Sequence, residues 1–166
     1  EKEKFINQDR FLLLFCPITR KYNTSINEPY NAKTEKYVRN DYKFPRTASE
    51  NYAYLNLWKS HFQGEALAFE YHMMWNTYMD PGFMQISKVM FDDSKEFVNR
   101  GLNGMIQCSL WNALTPTALP YYTMAEALWN KESSFEDISH RYFKNSFGKN
   151  YEKAENIVRR EVLDYH

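Results

Sequence analysis

Long apolar runs are what this sequence lacks most plainly. The longest, Phe11 to Phe15, has strand length and falls far short of the roughly 20 residues that span a membrane. A charge of one sign is missing too. The 21 Lys and Arg balance 21 Asp and Glu, so the chain has no basic excess of the kind that meets a phosphate backbone. Cysteine is scarce. Cys16 and Cys108 stand at the ends of apolar runs, at no metal-ligand spacing, and read as two buried free thiols. No ligand spacing or phosphate motif calls for a metal or a cofactor. There is no internal repeat and no low-complexity segment.

What is present suffices for one ordinary domain. The chain has 166 residues, 43% of them hydrophobic and 17% aromatic. Three short apolar runs lie at 11–15 (FLLLF), 65–69 (EALAF) and 104–108 (GMIQC). Runs without alternation suit strands buried on both faces of a parallel sheet. Helical stripes separate them. One carries Tyr52, Leu55, Trp58 and Phe62, with Ser49 as its cap and Gly64 as its stop. The next carries Ile86, Val89, Met90 and Phe97 and stops at Gly101. Both glycines fall where an αβ turn calls for positive φ. The order strand, helix, strand, helix, strand, helix is the rhythm of α/β proteins.

The first connection departs from that rhythm. Residues 16–48 form a loop of over thirty residues with Tyr22, Tyr30, Tyr37, Tyr42 and Phe44, and loops of that length are more often functional than idle. After Cys108 the pattern turns helical. Pro116 and Pro120 precede a helix through Tyr122, Met124, Ala125, Leu128 and Trp129. Ser133 and Glu136 have capping-box spacing for a helix with Phe135, Ile138 and Tyr142 inward, ended by Gly148. A last stripe carries Tyr151, Ala154, Val158 and Val162. The division is therefore 1–130 for strands and helices of one α/β unit and 131–166 for a helical extension. Three parallel strands leave two open edges, which invite pairing or self-association. The expectation is that the missing strands of a larger barrel or sheet lie before Glu1; the alternative is a small three-stranded α/β domain that covers its edges with the helical extension or with a second chain.

In parallel α/β folds the functional face is the C-terminal end of the strands. Cys16, Pro17, Thr19, Arg20 and Tyr22 follow the first run. Glu70, Tyr71, His72 and Trp75 follow the second. Gln107, Ser109, Trp111 and Asn112 follow the third. One cation, one carboxylate, one imidazole, amides and aromatic rings are the groups from which saccharide sites are built: rings stack on the apolar face of a sugar, and the polar groups bond its hydroxyls. The candidate set is Glu70 as the catalytic carboxylate, with Arg20, Tyr22, Tyr71, His72, Trp75, Gln107 and Trp111 as substrate-binding residues. The structural alternative pairs Glu70 with Arg20 or Arg10. Gln107 faces either a lumen or a helix. Asp80, in MDPG, reads as a turn residue, and Asp92 and Asp93 read as solvent-facing. Glycosidases need two carboxylates. Only Glu70 stands at a strand end, with Glu28 and Glu35 in the long loop as weak substitutes.

The stretches RFLLLFCPITRKY (10–22), FEYHMMWNTYMDPGFMQISKVMFDD (69–93), GLNGMIQCSLWNALTPTALPYYTMAEALWN (101–130) and FEDISHRYFKNSFG (135–148) resemble the C-terminal half of a bacterial family of glycosidase-like TIM-barrel proteins. That family is similar in outline to alpha-glucuronidases and hexosaminidase-type barrels. The resemblance implies that the three strands are the sixth, seventh and eighth of a (β/α)8 barrel. By that analogy Glu70 is a nucleophile or base whose acid partner lies upstream. The chain departs from the family pattern, which carries Asp at the place of Glu70 and a Gln-rich, Arg-containing stretch where this chain has CSLWNALTP. The expectations are, in order, a glycoside-hydrolase-like part of a barrel acting on an oligo- or polysaccharide, a carbohydrate-binding barrel without hydrolysis, and an interaction module that uses the loop 16–48.

Overall fold

Three strands, β1 (Leu13–Phe15), β2 (Ala66–Met73) and β3 (Met105–Ser109), pair in parallel in the order β1-β2-β3. The structure, a computed structural model, describes residues 4–27, 32–41, 43–110 and 114–163. Helix α1 (Ala48–Lys59) connects β1 to β2, and α2 (Met84–Glu96) connects β2 to β3. Helices α3 (Leu119–Trp129), α4 (Phe135–Phe147) and α5 (Tyr151–Leu163) follow. The chain is thus α/β with a parallel sheet. Among the described residues no helix is long and apolar enough to cross a membrane.

Both crossover helices cover the same face of the sheet. Leu13, Phe15, Ala66, Ala68 and Met105 pack with Tyr52 and Leu55 of α1 and with Phe97 and Leu102. Met73 packs with Ile86 and Met90 of α2, and with Tyr121 and Met124 of α3. The opposite face is open. Register pairs Leu14 with Leu67 and Phe69 with Ile106. Leu14 is 43% exposed, Ile106 is 46% exposed, and Leu67, Phe69 and Tyr71 are half-buried. Helices α4 and α5 join through a third cluster of Met84, Leu119, Phe135 and Phe143, with Ala154 and Val158 against it.

Several local expectations change. Helix α1 is capped by Thr47, whose side chain accepts from the Glu50 backbone while Glu50 reaches back to the Thr47 backbone. That capping box begins α1 two residues before Ser49. Likewise Ser134, rather than Ser133, caps α4 by accepting from Asp137 N. Gly101 does adopt positive φ, at 70°, but Gly64 does not. A Cβ there would lie 2.4 Å from the Phe62 ring, so a side chain at 64 would displace that ring. The cysteines are free as expected, but Cys16 is exposed and Cys108 is half-buried. The side chain of Val162 lies outside the described residues.

The most consequential change is in β2. The second run does not stop at Phe69. The strand continues through Glu70, Tyr71 and His72 to Met73. Side chains alternate in a strand, so Glu70 and His72 turn to the helix-covered face with Ala66 and Ala68, while Tyr71 turns to the open one. A register irregularity between Glu70 and Met73 against β3 marks the end of regular pairing.

Candidate functional site: a closed cluster beneath an aromatic turn

Glu70 and His72 do not line an open pocket. Both are fully buried, as is Asp93 of α2, and Arg20 is 2% exposed. Arg20 Nη2 donates to Asp93 Oδ2 at 2.5 Å, and Arg20 Nη1 lies 3.6 Å from Glu70 Oε1. His72 Nε2 sits 2.7 Å from the same Asp93 oxygen. His72 Nδ1 sits 3.0 Å from Gln107 Oε1, which places Gln107 on the helix side. Tyr22 and Tyr52 donate to the two oxygens of Glu70, at 2.8 and 3.1 Å. Ser25 Oγ and the Ile26 backbone N–H both donate to Asp93 Oδ1, each at 2.8 Å. The loop segment after β1 is thereby tied to β2, α1 and α2 at one point.

The electrostatics follow from burial and charge together. Burial alone would raise the Asp93 carboxyl, but Arg20 and then His72 outweigh it and hold the group well below the usual carboxylate range. Burial would lower Arg20, yet Asp93 and Glu70 hold it more firmly protonated than a free guanidinium. Burial, reinforced by Glu70, pushes the Tyr22 and Tyr52 hydroxyls far up, so both stay neutral donors. Arg20 Nε finds no hydrogen-bond partner among the described residues. The guanidinium lies instead over the Tyr22 ring, 4.3 Å from its centroid.

Five of the eight sequence candidates therefore meet: Arg20, Tyr22, Glu70, His72 and Gln107. They meet as a cluster in which Arg20, Tyr22, Glu70 and His72 are buried and Gln107 is half-buried. Of the two arginines considered for Glu70, the structure brings Arg20. Tyr71 faces the other way, onto the open face near Cys16 and Cys108, where burial and then the two thiols raise its hydroxyl. Trp111 and Asn112 lie outside the described residues, as do Glu28, Tyr30 and Tyr42. Glu35 lies away from the cluster, in a small cleft with Lys33, Lys43 and Tyr54.

Asp93 is the residue the sequence reading misplaced. It falls on the same stripe as Ile86, Met90 and Phe97, three or four residues from its neighbours, and that spacing could have found it. Its neighbour Asp92 is the part-exposed one and pairs with Lys88 at 2.7 Å. Asp80 is also more than a turn residue. It is buried, and its Oδ2 accepts from Ile86 N at 2.7 Å, which places a carboxylate at the start of α2. Burial pushes this carboxyl up against the pull of those backbone donors.

Above the cluster the chain leaves β2 in a 3-10 turn, Trp75–Met79. Trp75 is 48% exposed and Tyr78 is 71% exposed. Three residues per turn bring positions i and i+3 onto one side, so Trp75 and Tyr78 stand on the same side of the turn. A larger cleft of about 480 Å³ lies elsewhere, lined by Phe97, Leu102, Asn103, Leu128 and both Lys95 and Lys131. It sits at the N-terminal end of β3, opposite the predicted face. Among the described residues no group of three His, Cys, Asp or Glu could hold a metal ion. No family model matches this chain, and neither a curated protein nor a solved structure matches it.

Proposed function

We propose that this chain is one side of a (β/α) barrel, its C-terminal part, and that it binds a saccharide at the C-terminal ends of its strands without hydrolysing it through Glu70. Two features support the barrel. Consecutive parallel strands with both crossover helices on one face suit a sheet that curls with helices outside, since a doubly wound sheet places helices on both faces. The open face of Leu14, Leu67, Phe69 and Ile106 is apolar, as a barrel lumen would be, and parallel sheets are covered on both faces.

The exposed pair Trp75 and Tyr78 in the 3-10 turn carries the binding proposal. Exposed aromatic rings offer stacking surface for the apolar face of a sugar. The buried Glu70–Arg20–Asp93–His72 cluster serves as its foundation. With both Glu70 oxygens accepting from tyrosines and the side chain fully buried, the carboxylate is shut away from a ligand, which favours binding over hydrolysis by this residue.

The test is a saccharide-array screen of the complete protein beside three variants. Trp75→Ala and Tyr78→Ala each weaken the bound sugar by about tenfold, the scale of one lost aromatic contact. Glu70→Gln leaves affinity within a few-fold wherever it folds. Binding that ignores both aromatic substitutions, or no binding to any sugar, overturns the proposal. Cleavage of a bound sugar that Glu70→Gln abolishes restores the catalytic reading.

A further inference from the structure

The buried cluster holds its histidine in a way that a foundation for the turn does not require. Gln107 Nε2 lies 2.6 Å from the Cys108 carbonyl oxygen. Only the amide nitrogen can donate there, so the orientation of the amide is fixed, and its oxygen faces His72 Nδ1 at 3.0 Å. The other ring nitrogen, Nε2, faces an Asp93 carboxylate oxygen at 2.7 Å. Both ring nitrogens therefore meet acceptors. A neutral imidazole has one N–H and one lone pair, so one of these contacts would be a lone pair against an oxygen.

We propose that His72 carries both protons and that this proton latches the loop segment 17–27 onto the sheet. With it, the cluster balances. Arg20 and His72 are positive, Glu70 and Asp93 negative, and all four are buried. Without it, one negative charge is left in excess in a site closed to water, which is costly. The groups facing His72 come from every element around it. Asp93 comes from α2 and Gln107 from β3. The Tyr22 ring, 4.9 Å away, comes from the loop, and Arg20 from the loop, Glu70 on β2 and Tyr52 from α1 complete the cluster through Asp93 and Glu70. The loop depends on this balance directly, because Arg20, Ser25 and the Ile26 N–H all bond Asp93. When His72 gives its proton to solvent, the Gln107 contact becomes repulsive and the hold on the loop weakens. The device is a proton-dependent latch beside the strand ends, and it stands whether or not a saccharide binds there.

The test has two arms. The first is nitrogen NMR of the ring in the unmodified protein at about pH 7.5, where a free imidazole is mostly neutral. The expected spectrum shows both His72 nitrogens protonated. A single neutral tautomer with one bare nitrogen overturns the proposal. The second arm follows hydrogen exchange of the Ile26 amide. His72→Gln should speed it about tenfold by opening the loop locally. Adding Glu70→Gln should slow it again, because the double change leaves Arg20 and Asp93 as a balanced pair while both Asp93 oxygens still accept from Arg20, Ser25 and Ile26. A double variant that exchanges as fast as His72→Gln alone would show that shape rather than charge balance holds the loop.

Discussion

Replacing Asp93 by alanine is the most informative single perturbation of this molecule. The side chain accepts from four donors on two parts of the chain: Arg20, Ser25 and the Ile26 backbone of the loop, and His72 of β2. Its removal leaves two buried cations, Arg20 and His72, facing the single carboxylate of Glu70, with the nearest Arg20–Glu70 approach at 3.6 Å. Breaking one partner of a buried ion pair costs about 3–5 kcal/mol, because the remaining charge stays out of water. That is a large part of the roughly 5–15 kcal/mol that stabilises a typical domain. For a chain of this size each kcal/mol shifts the melting temperature by about 2–4 °C, so the expected drop is on the order of 6–20 °C. Asp92→Ala is the internal control. It removes a part-exposed pair with Lys88 one turn away, worth at most about 0.5 kcal/mol. Thermal or urea unfolding of both variants reads the difference. An Asp93 variant no less stable than the Asp92 variant would refute the assignment of a buried, charged role to Asp93.

Two further outcomes follow from other parts of the fold. A Cβ at Gly82 would lie 2.6 Å from Val158 Cγ1 and 3.1 Å from the Val158 carbonyl, so Gly82→Ala should push α5 away and cost about 1–3 kcal/mol by overpacking. Adding Val158→Ala removes only the side-chain clash, and unfolding curves should show partial recovery. The third outcome concerns pH. Asp93 is held below its ordinary value, so its contribution is fully present above about pH 4, the unfolded value, and is lost as pH falls through the depressed folded one. The stability gap between the natural protein and Asp93→Asn should narrow as pH falls below about 4; a gap that stays level or widens in acid contradicts this sign.

The strands and their order were legible because a parallel strand buried along its length shows itself as a short apolar run. The end of β2 was not, because polar residues there read as loop. Glu70 and His72 are hidden strand residues whose polarity is satisfied by tyrosines, an arginine and an aspartate from distant positions. Pairing across 48 and 73 residues leaves no local pattern. Asp93 is the partial exception, since its place on the stripe of Ile86, Met90 and Phe97 was written in the spacing. The caps slipped for a simpler reason. Thr47 and Ser49, like Ser133 and Ser134, are near neighbours of the same type, and the choice between them depends on which backbone N–H is free.

The alternation of β2 separates two roles that the sequence had merged at one strand end. If the sheet curls as a barrel wall, the side chains that look inward are Leu67, Phe69 and Tyr71, and those that look outward to the helices are Ala66, Ala68, Glu70 and His72. A catalytic carboxylate must reach the lumen or its mouth. Glu70 points the other way, and turning it inward would slip the strand by one residue and move Ala66 and Ala68 out of the core with it. On this reading, the residues of this chain that can touch a ligand are those that leave the pleat at its end, Trp75 and Tyr78, together with the ring of Tyr71. Any carboxylates that cut a sugar would have to enter from other strands of the barrel. The charged cluster then has a consistent purpose in the fold: it fixes the backbone from which that aromatic turn departs. Tyr22 shows the connection at atomic scale. Its hydroxyl donates to Glu70 and accepts from the backbone N–H of Tyr71, at 2.8 and 3.2 Å, so the loop, the buried carboxylate and the strand end are held by one oxygen atom.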